Sequence, residues 1–407
     1  MTAVDLPLVD LAAVQAAREL LRGVSRETPV EDSRTLSRAV GGPVLLKCEN
    51  LQRTGSFKIR GAYVRIAKLT DEERRRGVVA ASAGNHAQGV AQAAKLLGCE
   101  ATVFMPEVAP LPKVEATRAY GATIRMHGET VDEALVAARA WSERTGAVLI
   151  HPFDHADIIA GQGTVGLELL EQCPEVKTIL VAVGGGGLAS GIAVAVKSLR
   201  PDVKVIGVQA SGAAAFNGSL RAGRPVALDT MTTIADGIAV GCPGDITFRH
   251  VRELVDRVVM VDEDALSRAL LLCLERAKLV VEPAGAAAVA ALMEDPTAFE
   301  PPVVAVLSGG NIDPVLLSKV IRHGMIAAGR YLSLRVRIPD RPGGLAALLG
   351  VLAASGANVL DVEHQRTGRG LHLDEVEVDL QLETRGRDHG DHVVQQLQGA
   401  SYVVSPG

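Results

Sequence analysis

The sequence predicts an α/β protein built on parallel sheets, followed by a smaller βαββαβ module. Three observations point there. Short apolar runs rich in β-branched residues alternate with longer Ala/Leu-rich segments, which implies parallel strands covered by helices on both faces. One run, Ile179-Leu180-Val181-Ala182-Val183, is apolar throughout, as a strand buried on both sides requires. After residue 328 the pattern changes to strict alternation, Leu332-Ser333-Leu334-Arg335-Val336-Arg337-Ile338, which reads as a strand with one polar face.

Strands are expected at 44–46, 78–80, 101–105, 123–126, 148–150, 179–183, 205–209, 257–261 and 303–307. Helices are expected at 85–97, 131–145, 188–199, 263–278 and 285–293. They form two layers split near residue 150, with the site in the cleft between them. The first domain is placed at 1–328, with a smaller subdomain over about 45–150, and the second at 329–407. In the tail, Pro339-Asp340-Arg341-Pro342-Gly343-Gly344 is a turn and 345–355 an amphipathic helix. Strands at 358–365 and 372–383, a helix around 391–397 and a strand at 402–404 complete a ferredoxin-like pattern.

Composition narrows the function. With 48% hydrophobic and 22% charged residues the chain is an ordinary globular protein. A net charge of -5 without a long basic run argues against a nucleic-acid partner. No apolar stretch reaches the roughly 18 residues of a membrane helix, so no membrane partner is expected. The segment from Met1 to Asp10 lacks the basic start and apolar core of a signal peptide. Five scattered cysteines, Cys48, Cys99, Cys173, Cys242 and Cys273, read as reduced thiols of a cytoplasmic protein, with no metal cluster.

Two runs carry the chemistry. In Thr54-Gly55-Ser56-Phe57-Lys58-Ile59-Arg60-Gly61-Ala62 a lysine stands just before a helix. In Val181-Ala182-Val183-Gly184-Gly185-Gly186-Gly187-Leu188 an apolar strand opens onto four glycines and a small-residue helix. Backbone N–H groups freed of side chains can crowd around a phosphate, and a helix N-terminus favours its charge. An amine that captures an aldehyde and a cradle for its phosphate are the two needs of pyridoxal 5'-phosphate. Taken singly, Lys58 reads as a surface lysine at a helix start and the glycines as close helix–strand packing.

The chain resembles the threonine dehydratase (threonine ammonia-lyase) family of fold-type-II pyridoxal phosphate enzymes over about residues 28–328. Five runs agree in order: S-F-K-I-R-G-A (56–62), S-A-G-N-H-A-Q-G (82–89), G-Q-G-T (161–164), G-G-G-G-L (184–188) and S-G-G-N (308–311). The tail, with Asp340-Arg341-Pro342-Gly343-Gly344-Leu345, is similar to an ACT domain. The resemblance implies that Lys58 is the Schiff-base lysine and takes the α-proton. It implies that Asn85 contacts the ring's 3-hydroxyl, and that Ser82, Ala83, Gly84, Asn85 and His86 hold the substrate carboxylate. A helix N-cap is the plainer reading of that loop, and a buried structural role that of His86. Gly184, Gly185, Gly186, Gly187 and Leu188 would bind the phosphate, and the Ser308 hydroxyl would meet the pyridine nitrogen. A neutral hydroxyl there weakens the electron sink and favours prompt β-elimination. Phe57, Gly237 and Glu282 match positions near the ring; Phe57 also reads as core and Glu282 as a helix-dipole partner.

The activity implied is α,β-elimination of L-threonine to 2-oxobutanoate and ammonia, with L-serine to pyruvate as a second substrate. A homo-oligomer, dimer or tetramer, is implied too. Ala83 lacks the hydroxyl that related serine racemases use, and 209–215 lacks the carboxylates of their divalent-cation site. Serine dehydratase or racemase chemistry on the same fold, and a degenerate amino-acid sensor, are the other readings. Asp340, Gly343 and Gly344 would bind an amino-acid effector, unless the tail serves only dimerisation.

Overall fold

The computed structural model describes residues 8–366, 372 and 374–407. The expectation for residues 1–7, and for residue 373 in the expected strand 372–383, lies outside them. The chain divides into two compact units, Met1–Leu317 and Ser318–Gly407.

The first unit holds two sheets. The smaller runs Thr123–Met126, Ala101–Met105, Val78–Ala81, Val148–Leu149, all parallel. Its middle strand shows why the fold forms. Alternate side chains leave a strand on opposite faces. Val78 and Ala80 join Ala87, Val90 and Ala94 of the helix Asn85–Leu96. Val79 and Ala81 join Ala134 and Ala138 of the helix Val131–Thr145 on the other side.

The larger sheet runs Val30–Asp32, Val44–Lys47, Val303–Val306, Thr178–Ala182, Lys204–Ala210, Arg257–Val261. Its first pair is antiparallel and the rest parallel. The expected start of the smaller subdomain near residue 45 thus falls on a strand of the larger sheet. The smaller sheet draws its strands from 78–149 alone. The expected helix 263–278 is α-helical only to Leu272; a wider π turn, Cys273–Ala277, follows and Lys278 closes it at φ 61.

The second unit is an antiparallel sheet in the order Asn358–Gln365, Glu375–Glu383, Tyr331–Pro339, Val403–Pro406. Helices Gly344–Ser355 and Arg387–Gly399 complete the βαββαβ order and share one core with Val336, Val378 and Leu380. No helix among the described residues is long and apolar enough to cross a membrane.

Candidate active site

Lys58 is the first residue of the helix Lys58–Ala67. That helix is held from three sides. Gly89 of the helix Asn85–Leu96 lies so close that a Cβ there would stand 3.1 Å from the Lys58 backbone carbon. Gln162 Oε1 accepts from Gly61 N at 3.2 Å. Arg60, fully buried, donates to Glu49 and Glu168 at 2.6–2.9 Å and to Thr164 Oγ1 at 3.1 Å. Lys47, also buried, bonds Glu168 at 2.7 Å, so two cations and two carboxylates close on one another. The G-Q-G-T run is therefore the dock for the lysine helix, a role its sequence did not disclose. Neither Arg60 nor its partners were singled out from sequence, because partners at 49 and 168 meet only in the fold.

Among the described residues the Lys58 amine has a single weak hydrogen-bond partner, the Pro152 carbonyl at 3.3 Å, and it lies 5.2 Å from the centre of the Phe57 ring. Phe57 packs against the core of the larger layer. Burial pulls the amine down to about 8, opposed by the Glu282 carboxylate.

The segment 151–155, His-Pro-Phe-Asp-His, carries the chain from the smaller sheet into the helix Ala156–Gln172, and sequence reasoning passed over it. Its pair of histidines and an aspartate at a strand–helix junction was the available signal. Pro152 meets Lys58. Phe153 covers the glycine loop so closely that a Cβ on Gly185 would lie 2.2 Å from its ring. Asp154 Oδ1 accepts from Ile246 N and Thr247 N at 2.9 and 3.0 Å, pinning the crossover to the helix Asp245–Leu254.

Gly184, Gly185 and Gly186 follow the strand Thr178–Ala182 after Val183, and Gly187 opens the buried helix Gly187–Leu199. Gly186 has φ 92, and a Cβ there would meet the Phe216 ring at 2.7 Å, so both conformation and space demand glycine. Leu188 lies in the core of the larger layer.

The loop Ser82–Gly84 precedes the helix Asn85–Leu96, and Ser82 Oγ accepts from Gly84 N at 3.1 Å. Gly84 faces open space, and Ala83 is half-buried. The His86 ring is spent elsewhere: burial holds it down to about 3, and its neutral Nε2–H donates to Ile150 O at 2.8 Å. Only its backbone is left for the substrate reading.

Asn85 Nδ2 donates to Glu282 Oε1 at 2.6 Å, and Asn85 Oδ1 accepts from Asn311 at 2.8 Å. Glu282 precedes the helix Pro283–Glu294, yet its side chain makes no cap bond. Burial and Asp236 push its carboxyl up to about 7, against the bond from Asn85 and the charges of Lys113 and Lys58. Gly237 adjoins it: a Cβ there would lie 3.5 Å from Glu282 Oε1. Ser308 is buried and follows the strand Val303–Val306, and its carbonyl accepts from Phe57 N at 3.3 Å.

An amine of lowered basicity, a side-chain-free loop at a helix start and an amide beside a buried carboxyl thus converge on one cleft. The donors suit a phosphate-bearing aldehyde: N–H groups for the phosphate and a primary amine for the carbonyl.

Comparison with known proteins identifies the family. Residues 21–309 match the family described as pyridoxal-phosphate dependent enzyme, and 332–399 match the ACT domain. The chain is 46% identical to an L-threonine ammonia-lyase of Thermotoga maritima over 397 residues, 98% of this chain and 99% of that protein. Among solved structures, the processed form of threonine deaminase isoform 2 from Solanum lycopersicum superposes with a TM-score of 0.75 at 39% identity. It covers 78% of this chain and 87% of that one. Maize serine racemase gives 0.74 at 39% identity, over 77% and 97%.

Proposed function

The chain belongs to the pyridoxal-phosphate-dependent enzyme family and carries an ACT domain behind its catalytic part, and from that premise we propose that it is a threonine ammonia-lyase. The reaction is α,β-elimination of L-threonine to 2-oxobutanoate and ammonia, with L-serine as a second substrate. Near-full-length identity to the Thermotoga maritima L-threonine ammonia-lyase supports the substrate. The observation that carries the reading is the half-buried Lys58 amine, brought down to about 8 by desolvation and hydrogen-bonded, among the described residues, to the Pro152 carbonyl alone, beside the glycine loop.

When bound, pyridoxal phosphate supplies an electron sink that acidifies the substrate's α-carbon. The amides of Gly184–Gly187 would hold its phosphate, Ser308 would meet its pyridine nitrogen, and Asn85 would meet its 3-hydroxyl. The backbone N–H groups at the start of the helix Asn85–Leu96 hold the substrate carboxylate. Lys58 takes the α-proton as a neutral amine, and its lowered basicity makes that form abundant near pH 8. Ala83 has no proton to deliver to the opposite face, which leaves elimination ahead of racemisation. We place the enzyme in the cytoplasm, consistent with five free thiols, and propose a homo-oligomer whose ACT domain binds an amino-acid effector through Asp340, Gly343 and Gly344.

The test is to load the protein with pyridoxal phosphate and measure 2-oxobutanoate and ammonia from L-threonine, and pyruvate from L-serine. Release of neither keto acid, or turnover limited to racemisation, sinks the reading.

A further inference from the structure

We propose that Asn311 is a positioning residue: it fixes the direction of the Asn85 amide and ties the loop before Lys58 to the loop after Ser308. The proposal rests on the reading of Asn85 as a contact of the cofactor ring.

A backbone carbonyl can only accept. Thr54 O, 2.6 Å from Asn311 Nδ2, therefore fixes which end of the Asn311 amide is the NH2. The same nitrogen lies 2.8 Å from the Asn85 side-chain oxygen, so its second hydrogen goes there and Asn85 must present Oδ1. Gln88 Oε1, at 3.5 Å, is a weaker third acceptor. Asn85 Nδ2 is thereby turned to Glu282 Oε1 at 2.6 Å. An NH2 group has two hydrogens; one serves Glu282 and the other is left for the cofactor. The two ends of an amide have the same shape, so packing alone does not choose between them. Flipped, Asn85 would set its oxygen against the Glu282 carboxyl.

The Thr54 carbonyl is held in place at a conformational cost. Thr54 has φ 64 and Gly55 φ 71, two successive left-handed residues, and threonine is β-branched. A Cβ on Gly55 would lie 2.3 Å from Asn311 Oδ1, so glycine is what admits the Asn311 side chain. Around this contact Gly310 N donates to Gly55 O at 2.9 Å and Ser56 pairs with Gly309 in an antiparallel bridge. Phe57 N donates to Ser308 O at 3.3 Å as the next step of that seam, so Lys58 and Ser308 meet at its far end from Asn311.

Two variants test the role. N311D keeps the shape but replaces the donor with a carboxylate, and N311A removes the donor without adding charge. Pyridoxal phosphate is titrated into each cofactor-free protein and followed by absorbance, alongside its melting temperature. The dissociation constant is expected to rise about tenfold or more at pH 8 in both. In N311D the loss should shrink as the pH falls toward 5, where the new carboxyl takes a proton and donates again. N311A should show no such recovery. Cofactor binding by N311A as tight as in the unaltered protein overturns the proposal, and so does an N311D defect independent of pH. If N311D does not fold, N311A decides. N85A separates the two levels: unchanged binding in N85A removes the reading beneath, whereas weak N85A with normal N311A removes this proposal alone.

Discussion

Glu282 Oε1 accepts a 2.6 Å hydrogen bond from Asn85 Nδ2, joining the residue before the helix Pro283–Glu294 to the first residue of the helix Asn85–Leu96. The bond links the larger layer to the smaller one across the cleft. It also stabilises a carboxylate that its surroundings otherwise resist.

That conflict has a pH signature. Burial and Asp236 raise the Glu282 carboxyl from 4.5 to about 7. A carboxyl that binds its proton more tightly in the fold stabilises the fold below its unfolded value, here 4.5, and loses that contribution as the pH climbs through about 7. E282Q keeps an acceptor for Asn85 without the charge. The cofactor-free variant should unfold at higher urea than the unaltered protein at pH 8, by up to about 3 kcal/mol, with the gap closing toward pH 5. Equal stability of the two proteins at pH 8 would contradict the carboxyl's assignment.

Lys58 should behave as an amine of about 8 rather than its ordinary 10.5. Capture of an aldehyde requires the neutral amine. The rate at which cofactor-free protein captures pyridoxal phosphate should climb with pH and level off just above 8. K58A should keep its melting temperature and lose keto-acid production by about 10³-fold or more. A borohydride-reducible adduct at another lysine in K58A would show that the amine was misassigned.

Phe153 and Gly185 make a matched pair. A Cβ at 185 would enter the Phe153 ring at 2.2 Å, so G185A must displace the ring or the loop. We expect cofactor affinity in G185A to fall about tenfold or more, and F153A/G185A to regain part of it because the ring is gone. Additive losses in a cofactor titration of the double variant would mean that the two residues act independently.

What the sequence disclosed and what it withheld divide along one physical line. The strands Val78–Ala81 and Thr178–Ala182 were legible from the apolar runs 78–80 and 179–183, because a strand buried on both faces reads as a continuous apolar run. The glycine loop and Lys58 were legible because each carries its chemistry in adjacent residues. The strand Val30–Asp32 was not, being three residues long with two exposed carboxylates. Asn311 stood in a quoted motif without a role, since its role is set by a carbonyl at residue 54. Arg60 is the same case: a buried guanidinium shows itself only when Glu49 and Glu168 are seen around it.

Arg60 yields a stability prediction. Glu49, fully buried, is held below the usual carboxylate range by Arg60, against the cost of its burial. R60M leaves Glu49 without its main partner and Glu168 with Lys47 alone. Removing one partner of a buried network costs about 3–5 kcal/mol, far more than an exposed pair would. Urea unfolding should show that loss, and a change below about 1 kcal/mol would mean the network contributes little.

The second unit supports a prediction about control. Gly343, φ 88, precedes the helix Gly344–Ser355 and would meet nothing within 4 Å if it bore a Cβ. Gly344 is the opposite case, since a Cβ there would lie 2.7 Å from Pro339 O. Asp340 bonds back through its own N–H to Asp374 O at 2.7 Å, which fixes the turn around an open helix start. The N–H groups of Asp340, Arg341 and Gly344 are already bonded, so the donors left for the carboxylate of a free amino acid are Gly343 N–H and those of the helix's first turn. If it binds an effector, effector and substrate must favour different states of the same assembly, and each must alter the other's apparent affinity. Rates on L-threonine should therefore shift when each of the twenty amino acids is titrated into the full chain, with at least one active. A chain ending at Ala328 should keep its rate on L-threonine and lose that response. G343V, strained at positive φ, should weaken the effector's action while leaving the unregulated rate in place. A full chain that responds to none of the twenty would leave the second unit a purely structural module.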